Sequence, residues 1–185
     1  MLSFLTALLV LLPAPAVAPR AYAIDRAHSQ ILFNAEARFI SAHGAFDRWT
    51  ADILFDPDTV INSSVRITIE TASLNTKSDR RDNHLRSPDF FDAATYPTIT
   101  FVSKKVVAAG ENAWNITGDL TMRGVTKEIV VPITMVFYEK GRGRFKGSFT
   151  LNRKDYGINY DSMVNSIQNK VEAQFEFGIL APQGG

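Results

Sequence analysis

The chain has 185 residues, 45% of them hydrophobic, with 20 Lys and Arg against 19 Asp and Glu and no cysteine. That length suits one domain with a sizeable core. The near-neutral balance excludes the concentrated cationic face that nucleic-acid binding requires, and the missing cysteines exclude disulfides, thiol catalysis and thiolate metal sites.

The amino terminus reads MLSFLTALLVLLPAPAVAPRAYA. Its apolar run, Leu2 to Leu12, is shorter than the ~20 residues of a membrane span, and small residues follow it. Pro13, Pro15 and Pro19 oppose a buried helix or strand there. A secretory signal over residues 1–21 is therefore expected, although no Lys or Arg precedes the apolar run. Ala16, Ala18, Ala21 and Ala23 all offer small-residue cleavage sites. A single mature domain over 22–182 and an extracytoplasmic location follow.

From Tyr22 onward apolar and polar residues alternate, the mark of strands with one buried face. In ILFNAEARF, Ile31, Phe33, Ala35, Ala37 and Phe39 share a face. FDRWTADILF follows, with Phe46 and Trp49 on opposite parity, which predicts a bulge near Asp47. SVRITIETA presents Val65, Ile67 and Ile69. TITFVSKKV is the fourth strand. AWNITGDLTM aligns Trp114, Ile116, Gly118, Leu120 and Met122, and VTKEIVVPITMVFY aligns Val125, Ile129, Val131, Ile133, Met135 and Phe137. FKGSFTL carries Phe145, Gly147, Phe149 and Leu151, and VEAQFEFGI carries Val171, Ala173, Phe175, Phe177 and Ile179. Turn signals at Asp56-Pro57-Asp58, Ala109 to Asn112, Arg123-Gly124 and Gly141-Arg142-Gly143 separate them. Eight strands joined by short turns predict an all-β, antiparallel fold in which neighbours in sequence pair. This strand number allows a barrel wide enough for one small ligand, and a two-sheet sandwich is the alternative.

One connection is long, Thr71 to Pro97. Ser78 is placed to cap a short helix from Asp79, and Ser87-Pro88 ends it, because a residue before proline avoids the α region. Ser87 and Pro88 then open a second helical turn bearing Phe90 and Phe91. This segment contains Asp82 and His84, the one pairing that suggests an acid and a base. Two helical residues apart, they point roughly 200° away from each other, so they do not converge as a catalytic pair does. His28 and His43 are distant, and no G-x-S-x-G elbow is present. The segment reads as a structural cover over one barrel end, with Asp82 and His84 as candidate polar contacts to a ligand head group.

RDNHLRSPDFFDAATYPTITFVS resembles the segment that marks the YceI-like family of bacterial secreted proteins. YAIDRAHSQILFNAEA, GAFDRWTADILFDP, ITGDLTMRGVTKEIVVP and GSFTLNRKDYGINYD are similar to further pieces of that family in the same order, so the resemblance runs from Tyr22 to Leu180. It implies an extended, eight-stranded, lipocalin-like antiparallel barrel with a short helical connection between its third and fourth strands. It also implies a periplasmic or secreted location, no enzymatic activity, and no cofactor beyond a bound polyisoprenoid lipid or quinone-like ligand. Transient membrane contact is expected, and a homodimer is compatible with it.

The strand faces agree with a lined tunnel, since they mix aromatics with Gly and Ala where a solid core would want bulk throughout. The expected lining is Phe33 and Phe39 from the first strand, Trp49 and Phe55 from the second, and Ile67 and Ile69 from the third. Phe91 adds to it from the connection, and Phe101 from the fourth strand. Trp114, Ile116 and Leu120, then Ile133, Phe149, Phe175 and Phe177, complete it. The competing reading of the small residues is that they accommodate strand coiling. Two other functions stay open: a hydrolase or isomerase acting on an apolar substrate through His84 and Asp82, and a structural barrel with a filled core.

Overall fold

The computed structural model describes residues 18–182; the expected signal segment lies outside the described residues as far as residue 17. The strands are β1 (Arg20–Ala37), β2 (Ala42–Phe46), β3 (Trp49–Phe55), β4 (Ser64–Glu70), β5 (Leu74–Asn75), β6 (Thr98–Gly110), β7 (Ala113–Met122), β8 (Val125–Glu139), β9 (Arg142–Asn152) and β10 (Ile167–Leu180). Among the described residues the one α-helix, α1 (Asp79–Arg86), lies between β5 and β6.

Eight of the strands close an antiparallel barrel in the order β10-β9-β8-β7-β6-β4-β3-β1, with β1 returning to β10. The two remaining strands are short. β2 continues the line of β3 along β1, pairing Leu32 with Ala45 where β3 pairs Arg20 with Phe55. The break between them falls at Asp47 and Arg48, where the opposite parity of Phe46 and Trp49 predicts it. β5 adds two residues to β2.

Tight turns set the hairpin registers. Arg123 and Gly124 both have positive φ (50° and 73°) between the paired Met122 and Val125, the type I′ geometry that matches strand twist. The next hairpin departs from the sequence expectation by one position. Its turn is Lys140-Gly141, both at positive φ, while Arg142 and Gly143 already belong to β9. The β8–β9 ladder runs from Glu139–Arg142 to Thr134–Lys146 and stops before Pro132, which has no N–H to donate.

The long connection between β4 and β6 closes one barrel end. Ser78 precedes α1 but its side chain makes no capping bond. The anchor is Asp82, which is buried and accepts hydrogen bonds from the backbone N–H (2.9 Å) and the hydroxyl of Thr76. Arg81 donates to the Thr76 hydroxyl and carbonyl, and Arg86 donates to the carbonyls of Ala72 and Leu74. Past Ser87 the expected helical turn is a run of hydrogen-bonded turns without regular helix, with Phe90 and Asp92 N–H groups on the Ser87 carbonyl. Phe90 is buried there, and Phe91 packs edge-on to Phe46 at 6.0 Å.

Two apolar clusters fill the ends. The larger runs from Ile31 and Phe33 through Leu74, Phe90 and Leu120 to Tyr156 and Ile158. The smaller gathers Tyr22, Phe55, Phe145 and Ile179 at the other end.

Candidate functional site

The inward side chains of the barrel leave a void. The void measures about 220 Å³. That is somewhat below the ~300–1,000 Å³ of ordinary ligand pockets. Its wall comes from every barrel strand, because period-2 alternation puts one residue in two on the inside.

Twelve of the fifteen expected lining residues border this void: Phe33, Phe55, Ile67, Ile69, Phe91, Phe101, Ile116, Leu120, Ile133, Phe149, Phe175 and Phe177. Ile67, Ile69, Ile116, Ile133, Phe149 and Phe175 keep partial exposure although they face inward. Their exposed surface is toward the void, so the interior is not a solid core.

Three expected lining residues are corrected. Phe39 lies past the end of β1 and is 65% exposed, because the ladder stops at Ala37 while the apolar pattern runs on. Trp49 is buried but engaged elsewhere: its ring meets Phe177 at 5.0 Å and carries the Arg26 guanidinium at 4.2 Å, and Arg26 also donates to its carbonyl. Trp114 sits beside the irregular pairing of Ala108 and Gly110 with β7, beyond the lined stretch.

Asp82 and His84 do not border the void either. Asp82 is held by Thr76. His84 is exposed, its Nε2 lies 3.0 Å from an Asp89 carboxylate oxygen, and its ring stands edge-on to Phe90 and Tyr160 at 5.0 and 4.9 Å. Both side chains are thus occupied by structural partners, on opposite sides of α1. Among the described residues no three His, Asp or Glu side chains come together as a metal site.

Residues missing from the expected set include Phe46, Ile53, Val106, Met122, Val131, Phe145, Leu151, Ile158 and Ile179. Most sit on faces that alternation marks as inward. Val106 breaks the parity of Ile99 and Phe101 because the β6–β7 register shifts between Ser103 and Lys105. The polar residues at the boundary are Ser63, Ser64, Thr100, Gln174 and Arg153. Arg153 is buried and donates to four backbone carbonyls, those of Gln168, Ile158, Tyr160 and Ile167. It thereby holds the segment leading into β10 against the barrel end.

The glycines have a definite part in this geometry. A Cβ added at Gly147 would lie 2.5 Å from Phe175 Cζ, at Gly118 2.6 Å from Phe101 Cζ, and at Gly44 2.5 Å from Phe33 Cζ. Each glycine lets an aromatic ring lie flat against the wall. The rings occupy the space that the glycines vacate, and the axis stays open.

A family model described as "YceI-like domain" matches residues 22–179. A UPF0312 protein of Pseudomonas savastanoi pv. phaseolicola is 41% identical over 121 residues, 63% of each chain. A UPF0312 protein of Vibrio parahaemolyticus is 35% identical over 164 residues, covering 84% of this chain and 87% of the relative. The matched region thus spans somewhat under two thirds of the Pseudomonas relative. Among solved structures, Burkholderia cenocepacia BcnA superposes with TM-score 0.79 at 27% identity, over 84% of this chain and 99% of that one. The Campylobacter jejuni YCEI protein gives 0.64 at 32% identity, over 74% and 86%. A polyisoprenoid binding domain from Saccharophagus degradans, implicated in plant cell wall breakdown, has the same fold (TM-score 0.70, 20% identity, 88% and 99% covered).

Proposed function

The chain belongs to the YceI-like domain family, and we propose that it is a non-enzymatic carrier or store of a polyisoprenoid or similar amphiphilic lipid, working in the periplasm and exchanging its cargo with a membrane. The observation that carries this reading is the void lined by aliphatic and aromatic side chains from all eight barrel strands. A void of that kind suits an extended hydrocarbon. It offers few hydrogen-bonding groups, so a sugar or peptide would lose its hydration without replacement. The fold shared with a polyisoprenoid binding domain supports the same class of ligand.

The energetics suit exchange. Burying one CH₂ is worth ~0.8 kcal/mol, so each five-carbon isoprene unit gains roughly 3–4 kcal/mol on leaving water. A bilayer offers the same gain, and transfer between membrane and barrel is close to balanced. A protein on those terms picks up and releases its lipid, and does not trap it. Asp82 and His84 have no place in this scheme, because both are committed to the connection and neither reaches the void.

The test is mass spectrometry of an organic extract from natively secreted, purified protein. A polyprenyl species near one per protein, with a quinone- or phenol-type head, is the expected result. An empty extract, together with no uptake of an added long isoprenoid, would sink the carrier and leave the barrel standing.

A further inference from the structure

We infer that the projecting tip made by Phe39, Ile40, Met163 and Val164 is the surface on which this barrel docks to a lipid bilayer. The inference rests on the carrier reading and supplies its contact face. These four side chains are 65%, 68%, 101% and 74% exposed. Single exposed apolar residues are ordinary, but these stand on two segments tied together. Arg38 N–H donates to the Ser166 carbonyl at 2.9 Å. Phe39 and Ile40 N–H groups donate to Asn165 Oδ1 at 2.8 and 3.3 Å, and Asn165 Nδ2 donates to the Ile40 carbonyl at 3.2 Å. The four residues therefore form one patch.

Those bonds also select the occupant. A wet protein partner would tolerate hydrated backbone at such a tip, whereas the apolar part of a bilayer penalises each unpaired N–H or C=O by several kcal/mol. Here one amide side chain satisfies two backbone donors and one acceptor at the point of deepest contact. The charge is placed for lipid as well. The Arg38 guanidinium lies 5.0 Å from the Phe39 ring centroid and forms no ion pair among the described residues. It can stay at the phosphate layer while the Phe39 ring enters below it.

The patch adjoins the site. Met163 and Val164 belong to the segment that begins at Ile158, which borders the void, and Arg153 pins that segment through the Ile158, Tyr160 and Ile167 carbonyls. Docking by the tip sets this end of the barrel on the membrane.

The experiment is co-sedimentation of the full purified chain with phosphatidylethanolamine–phosphatidylglycerol vesicles, beside uptake of geranylgeraniol measured without vesicles. A Phe39→Ser, Met163→Ser double variant removes only exposed side chains and should fold as the wild type does. It is expected to lose about tenfold or more in vesicle affinity, the effect of taking two apolar side chains out of lipid, and to keep its geranylgeraniol uptake. A Phe39→Trp variant should gain emission that brominated acyl chains quench. Wild type and double variant sedimenting alike, or no quenching at position 39, would overturn the docking surface whatever the uptake. So would a wild-type dimer, absent in the double variant, with no vesicle binding, since the tip would then join two copies. Vesicle binding intact but no isoprenoid uptake by the wild type would overturn the carrier reading alone.

Discussion

The hydroxyls of Tyr22 and Tyr138 lie 2.6 Å apart and join β1 to β8 across one end of the barrel. Tyr22 is buried, its ring edge-on to Phe55 at 5.3 Å, and Phe55 in turn meets Tyr138 and Phe145. Burial first, and then the hydrogen bond to Tyr138, push the Tyr22 hydroxyl up to about 12. A pKa raised above the unfolded value of about 10 means that the fold favours the neutral phenol. That contribution is fully present below pH about 10 and is lost as pH rises toward about 12. The Tyr22→Phe variant should lose about 1 kcal/mol at neutral pH through the missing hydrogen bond. Denaturant midpoints of wild type and variant should then converge between pH about 10 and about 12. A constant gap across that window would show that the Tyr22 hydroxyl does not titrate with the fold.

Acid should act at the turn after β3. Asp56 accepts N–H groups from Thr59 (2.9 Å) and Asp58 (3.0 Å) and the Asn62 side-chain amide (3.2 Å). The Thr59 N–H foremost, then Asn62 and Asp58, hold its carboxyl below the usual range against the opposing effect of burial. A depressed pKa contributes stability above the unfolded value of about 3.9 and loses it as pH falls through the folded value. Asp56→Asn keeps an acceptor but not the charge. It should be less stable than wild type near neutral pH, and the difference should shrink as pH falls below the ordinary carboxylate range. Because Val60, Ser63 and Ser64 border the void just after this turn, lipid retention should weaken in the same acid window. Retention that is flat with pH would detach the turn from the site.

The connection over the other barrel end separates structure from chemistry. Asp82→Ala strands the Thr76 N–H and hydroxyl in a buried place, which should cost about 2 kcal/mol and lower the melting temperature by roughly 4–8 °C. His84→Ala removes an exposed hydrogen bond to Asp89 and two aromatic edges and should cost about 1 kcal/mol. Neither should change lipid content once the protein is folded. Turnover of any apolar substrate by the wild type, lost in His84→Ala with the barrel intact, would revive the enzyme.

How far alternation carried the fold can be judged from single residues. It aligned one apolar face on six of the eight barrel strands, because each strand has one buried side and a period of two. It overran at Phe39, where the apolar pattern continues after the ladder ends, and it missed Val106, where a register shift reverses the parity of β6. Side-chain engagements were not legible. Nothing in the spacing of Trp49 shows Arg26 lying over its ring, and nothing in Asp82 shows Thr76 reaching it from six residues back. The paired glycines and rings, Gly147 with Phe175 and Gly44 with Phe33, were visible as composition but not as contacts. A cross-strand pair is a fact of register, and alternation alone does not state the register.

The void itself can be closed by substitution. Ala173 lies on β10 between Phe33 of β1 and Phe149 of β9, and all three border the void. Ala173→Phe adds a ring where open space exists, so it need not strain a packed core as overpacking usually does. The empty barrel should keep its melting temperature to within a few degrees, or gain slightly from the added burial, by about 1–2 kcal/mol. The bound isoprenoid must then give up the space of roughly one unit and that unit's 3–4 kcal/mol, so retention should fall about a hundredfold or more. Thr150→Phe, on the exposed face of β9, adds the same ring outside and should leave retention unchanged. Lipid held at full stoichiometry by Ala173→Phe would mean that the chain does not thread the barrel, and the ligand would then have to be sought on the outer surface. Retention lost in Ala173→Phe and kept in Thr150→Phe would place the hydrocarbon between β1, β9 and β10, beside Ala173.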